Sequence, residues 1–135
     1  MHRTMIIAAG VLATLALAFA VAGCGGGDDD GSGTDDAVAE IAEVRTLLGQ
    51  ALDAYRDGDA EAAEERAGDA YLEHFEAVEE PLEERDDELM EELEVLISTT
   101  IRDRIKAGAP ASEVAELVDE ANAKLTEAEA ALQSG

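Results

Sequence analysis

Carboxylates are the one kind of chemistry this chain holds in quantity. Between Asp57 and Glu94, 18 of 38 residues are Asp or Glu, and only Arg66 and Arg85 are basic. That segment carries about two thirds of the net charge of −24. Helical spacing sorts the acids into stripes. Asp69, Glu73, Glu76 and Glu80 follow one another at steps of four, three and four. Glu84, Glu88 and Glu92 form a second ladder, and Glu83, Asp87, Glu91 and Glu94 a third. Like charges so placed repel by a few tenths of a kcal/mol per pair, and a bound hard cation would relieve them. All-oxygen clusters suit Ca²⁺, Mg²⁺, Mn²⁺ or ferric iron rather than soft metals. The competing reading is a solvated acidic face that serves solubility, with weak multi-ion binding between the two.

His74 lies on the flank of an apolar stripe, three residues after Tyr71 and four before Val78. Two roles are open to it: a half-buried ring hydrogen-bonded to another helix, or a metal ligand. Glu73 points away from it, so a site that uses His74 must recruit carboxylates from elsewhere. The candidate metal ligands are therefore Glu73, His74, Glu76, Glu80, Glu84 and Asp87. Arg85 and Asp86 sit at the edge of the inward arc of their helix, where a charge needs a partner; Glu64 is the economical partner for Arg85. Tyr55 and Tyr71 fall on apolar stripes and read as core.

Nothing in the chain supplies a nucleophile, a base and a group to orient it. The mature domain has one histidine, no strand-turn-helix frame to hold a serine, and no phosphate-cradling glycine loop. The expectation is a protein that is not an enzyme. The charge also excludes a nucleic-acid binder that works through phosphate contacts.

The elements that must position these groups are helices. Hydrophobic residues make up 47% of the 135-residue chain and recur at helical spacing, so a packed core is expected despite the acidity. Ala37, Ile41, Val44, Leu48, Ala51, Leu52 and Tyr55 predict a first helix from about Asp36 to Arg56. Asp35 or Asp36 would cap it, and Asp57-Gly58-Asp59 would stop it and cap the next. A second helix from Asp59 buries Ala63, Ala67, Ala70, Tyr71, Phe75 and Val78. Pro81 disfavours helical geometry at Glu80 and suits a first helical turn, so the break is expected there, one long kinked helix being the alternative. A third helix presents Leu82, Leu89, Leu93, Leu96 and Ile97, and ends at Lys106, Gly108 and Pro110. A fourth carries Val114, Leu117, Val118, Ala121, Leu125, Ala128 and Leu132. Short connections between helices of similar length predict an all-α, up-down-up-down four-helix bundle over residues 37–133.

Residues 1–23 read as a targeting segment, with His2 and Arg3 ahead of an apolar run from Met5 to Ala22. Val21-Ala22-Gly23-Cys24 resembles a bacterial lipobox. That resemblance implies cleavage before Cys24, lipidation of its thiol, and stable anchoring on the extracytoplasmic side of a membrane. An uncleaved signal anchor of roughly 20 residues is the other reading. Residues 24–36 then form a Gly/Asp-rich tether with no apolar residue beyond Cys24. Asp28, Asp29 and Asp30 on such a tether lack a rigid frame for a cation.

The run Asp69-Ala70-Tyr71-Leu72-Glu73-His74-Phe75-Glu76, followed by Pro81-Leu82, Arg85-Asp86-Asp87-Glu88-Leu89 and Gly108-Ala109-Pro110, resembles the extracytoplasmic helical domain of bacterial high-affinity iron permeases. The likeness covers about residues 37–133. Such permeases carry Arg-Glu-x-x-Glu motifs in membrane helices, and this chain has neither, so the resemblance implies a detached, lipid-anchored accessory domain. Its expected task is to capture or hand over iron, or to dock on a separate permease. No ligand set transfers residue by residue.

Overall fold

The computed structural model describes residues 30–134. The targeting segment, Cys24, Asp28 and Asp29 lie outside the described residues. Three helices form, and no strand occurs among the described residues. Helix α1 spans Asp30–Arg56, helix α2 spans residues 60–106, and helix α3 spans Ala111–Gln133. None of them is long and apolar enough to cross a membrane.

Helix α1 begins at Asp30 rather than at Asp36. From Gly33 on, the first buried side chain is Ala37. From Ala37 on, Ile41, Val44, Leu48, Ala51 and Leu52 are buried as their spacing requires. The helix ends in a Schellman turn. Asp59 N–H donates to Ala54 O and Gly58 N–H to Tyr55 O, with Gly58 at φ 87°, a conformation that favours glycine. Asp59 then caps the next helix, its carboxylate accepting from Ala62 N–H at 3.0 Å.

Helix α2 is long and bent. Its expected break at Pro81 does not occur, because Pro81 lies inside continuous helix and the chain tolerates the missing N–H there. The break falls at Asp86, whose φ of −156° and ψ of 84° leave helical geometry. The Asp86 carboxylate accepts from Leu89 N–H at 3.1 Å, which makes it the cap of the returning arm. Segment Ala60–Asp69 packs against Ile101–Lys106, so arms 60–85 and 87–106 fold back side by side. The separate helices therefore number three rather than four.

Each arm holds one wide turn, at Ala70–Phe75 and at Leu96–Thr100. Glu76 N–H reaches back five residues to Tyr71 O, and Ile101 N–H to Leu96 O. Both wide turns serve the core. In the first arm the buried series Ala63, Ala67, Ala70, Phe75, Val78 and Leu82 contains one step of five. In the second, Leu89, Leu93, Ile97, Ile101 and Ile105 are spaced by four throughout, a series that drifts about 40° per step on a regular helix. The added residue of a wide turn brings each series back into line, and the two wide turns touch.

A second Schellman turn at Gly108, φ 70°, joins α2 to α3, with Ala109 N–H donating to Arg104 O and Gly108 N–H to Ile105 O. The Tyr55 hydroxyl donates to Ala109 O at 2.5 Å, which clasps both turns at one end of the molecule. The core is Ala, Val, Leu and Ile, with Met90, around one fully buried aromatic among the described residues, Phe75.

If Asp86 is the reversal point, Asp86→Ala should lower the unfolding free energy by about 1 kcal/mol. Pro81→Ala should raise it, by on the order of 1–3 kcal/mol, because it restores a helix-interior N–H. Urea denaturation of both variants measures this, and the opposite ranking would return the bend to the proline.

Candidate functional site

The five candidate carboxylates Glu73, Glu76, Glu80, Glu84 and Asp87 are all exposed. With the bend at Asp86, Glu73 through Glu84 stay on one arm, and only Asp87 belongs to the other. Because Pro81 makes no turn, the carboxylates that follow it are not folded back there against Asp69, Glu73, Glu76 and Glu80. Among the described residues no group of three or more His, Cys, Asp or Glu side chains is close enough to hold a metal ion.

His74 does recruit a carboxylate from another helix. Its Nδ1 lies 2.6 Å from Glu40 Oε2 of α1, in a half-buried pair. Glu40 is the residue sequence reasoning missed, although its place beside Ile41 on the flank of the α1 stripe is the same kind of border position that His74 occupies. The pair joins α1 to the first wide turn. In a double-mutant cycle, Glu40→Ala and His74→Ala should show a coupling of about 1 kcal/mol; additive effects would mean that the pair does not hold the two helices together.

Glu64 also has partners other than the expected one. Lys106 Nζ lies 3.2 Å and an Arg102 guanidinium nitrogen 3.7 Å from Glu64 Oε1, whereas Arg85 is exposed. The reason is the position of the bend: Arg85 ends the same arm that Glu64 begins, 21 residues and about 30 Å away along the helix.

Carboxylates from both arms act on one another beside Tyr71. Tyr71 is half-buried against the core, and its hydroxyl lies near the Glu79 carboxylate. Burial, the nearby Glu79 carboxylate, and the charges of Glu94 and Glu76 push the Tyr71 hydroxyl up to about 12. Burial also holds Glu79 above its ordinary value. Glu94, Glu76 and Glu83 push it the same way, against the opposing effect of the Tyr71 hydroxyl. Glu79 Oε1 is shielded from solvent and has no hydrogen-bond partner. Tyr71 is thus core with a polar tip, as its stripe position implied, whereas the approach of Glu94, from its own ladder, to Glu79 is signalled by no pattern on a single helix, because the arms meet only through the bend.

The folded protein holds the Glu79 proton more tightly than the unfolded chain does. The stability from this carboxyl is therefore fully present below the ordinary value of 4.5 and is lost as pH rises through the raised folded value. Glu79→Gln, which keeps the uncharged form at every pH, should melt above the parent at about pH 7, with the difference closing by about pH 4. Calorimetric melting of both proteins across that range decides it; a lower melting temperature for the variant at neutral pH would show that the ionised form is the favoured one.

The chain matches no protein-family model, no curated protein and no solved structure.

Proposed function

We propose that this chain is a non-enzymatic accessory domain, anchored by a lipid at Cys24 on the outer side of a bacterial membrane, which docks through its acidic arms on a cationic protein surface. Iron uptake is the setting suggested by the resemblance to the extracytoplasmic domain of iron permeases, and a separate permease is then the partner. In this reading the two arms of α2 act as separate rods, so that the domain works as an up-down-up-down four-helix bundle with the arms presented side by side. The observation that carries the docking reading is the dispersal of the carboxylates: Glu73, Glu76, Glu80, Glu84 and Asp87 line the outside of the arms and do not converge on a point. A dispersed charge pattern suits a broad, salt-sensitive contact better than a coordination sphere.

Direct binding of iron or another hard cation is the second reading. Its support is the Glu79 carboxylate, whose Oε1 is shielded from solvent without a hydrogen-bond partner, although among the described residues no three carboxylates stand close enough to hold an ion.

Titration calorimetry with ferric, ferrous, calcium and magnesium ions, paired with crosslinking in native membranes, separates the two. Docking predicts a crosslinked partner with a basic surface, lost as salt rises and indifferent to chelators. Saturable binding of one ion that Glu79→Gln weakens at least tenfold would establish the cation reading in its place, and the absence of both results would remove both readings.

A further inference from the structure

Among the described residues, the two large apolar side chains that remain exposed are Leu72, at 58%, and Val95, at 57%. Their surroundings differ. Val95 borders a groove in which Glu92 is already bonded by Lys124 at 2.6 Å. Leu72 borders a groove of about 500 Å³ between the arms of α2, with the buried Gly68 among its lining residues and Glu61, Glu65 and Asp69 along its rim. None of these three carboxylates is paired with a basic residue among the described residues. Arg102, the one cation in the groove, leans over Gly68 and toward Glu64, with its guanidinium carbon 3.8 Å from where a Cβ on Gly68 would stand.

We infer that this groove is the seat of a basic amphipathic segment of a partner protein, which places an apolar side chain against Leu72 and lysines or arginines on Glu61, Glu65 and Asp69. The inference rests on the docking reading and gives it a location. Charge selects the occupant. A second copy of a chain with a net charge of −24 would set carboxylates against carboxylates, and an anionic lipid surface or a nucleic acid would be repelled by the same rim. Spacing selects its form. Glu61, Glu65 and Asp69 stand at steps of four along the arm, about 6 Å apart. Cations four residues apart on a partner helix repeat at the same interval. Leu72, three residues beyond Asp69 and four beyond Gly68, supplies the apolar contact that a charged stripe alone would lack.

The test uses the full-length, isotope-labelled chain titrated with a synthetic amphipathic helix of leucine and lysine at about 0.15 M salt. Chemical-shift changes should centre on Gly68, Leu72 and Arg102. Leu72→Ser should weaken binding roughly tenfold. The triple variant Glu61→Gln, Glu65→Gln and Asp69→Asn should weaken it further and flatten its salt dependence. The charge-matched triple Glu116→Gln, Asp119→Asn and Glu127→Gln, exposed on α3 and away from the groove, should leave affinity within about twofold. All of these side chains are exposed or half-buried, so the fold survives each change. Equal losses from the two triples, or shifts spread over every acidic face, would overturn the groove while leaving the docking reading intact. Binding that ignores Leu72 would overturn the apolar anchor, and no binding of any cationic helix would bring down both.

Discussion

The arrangement of this domain depends on a single capping hydrogen bond, from Leu89 N–H to the carboxylate of Asp86. Helix α2 has no other interruption between its two Schellman turns, and a straight helix of that length would span about 70 Å with an apolar stripe that could not be covered. At Asp86 one residue takes an extended conformation and its side chain satisfies a backbone donor freed by the reversal. Ala60–Asp69 can then meet Ile101–Lys106, and Tyr55 can reach Ala109. The groove at Leu72 and the meeting of Glu79 with Glu94 are further products of the same reversal.

That reversal has to hold against electrostatics, since folding gathers the acidic arms together. The basic residues are placed accordingly. Arg45 ties α1 to Glu129 and Thr126 of α3, Arg102 and Lys106 tie the second arm to Glu64 of the first, Arg104 reaches Glu113, and Lys124 reaches Glu92. Each of these pairs crosses from one helix or arm to another. Pairs so exposed are individually worth little, at most about 1 kcal/mol. Their distribution has a larger effect, because cations committed to the seams leave the outward carboxylates of the arms without internal counter-charge. The acidic exterior is thus the remainder of a pattern in which most of the cations join one element to another.

The apolar stripes were legible from spacing alone. Ile41, Val44 and Leu48 in α1, and Val114, Val118, Leu125 and Leu132 in α3, are buried where a regular 3.6-residue period puts them. The bend was not, because two signals compete within six residues. Pro81 is the stronger breaker by type, but a proline removes one N–H, whereas Asp86 supplies both an escape from helical geometry and an acceptor for the next helix. The same capping logic that located Asp59 would have located Asp86. His74 was legible as a border residue, and its partner Glu40 was not, since nothing in a one-dimensional pattern says which flank of α1 faces which turn of α2. The carboxylates around Glu79 lay beyond reach for a related reason: Glu94 approaches only after the chain has doubled back.

The wide turns at Tyr71 and at Ile97 have a consequence for how the two arms can change. Each is, in effect, one residue inserted into an α-helix and retained as a bulge, and the two defects lie against one another. Like a dislocation shared by adjacent rows of a lattice, the paired bulges keep the knobs of one arm in step with the gaps of the other. Losing the extra residue from one arm alone would turn everything beyond it by about 100°, so that Val78 and Leu82 would leave the core and outward carboxylates would replace them. Length in this stretch is therefore constrained more tightly than residue identity, since both wide turns set which face of residues 76–95 meets α1 and α3.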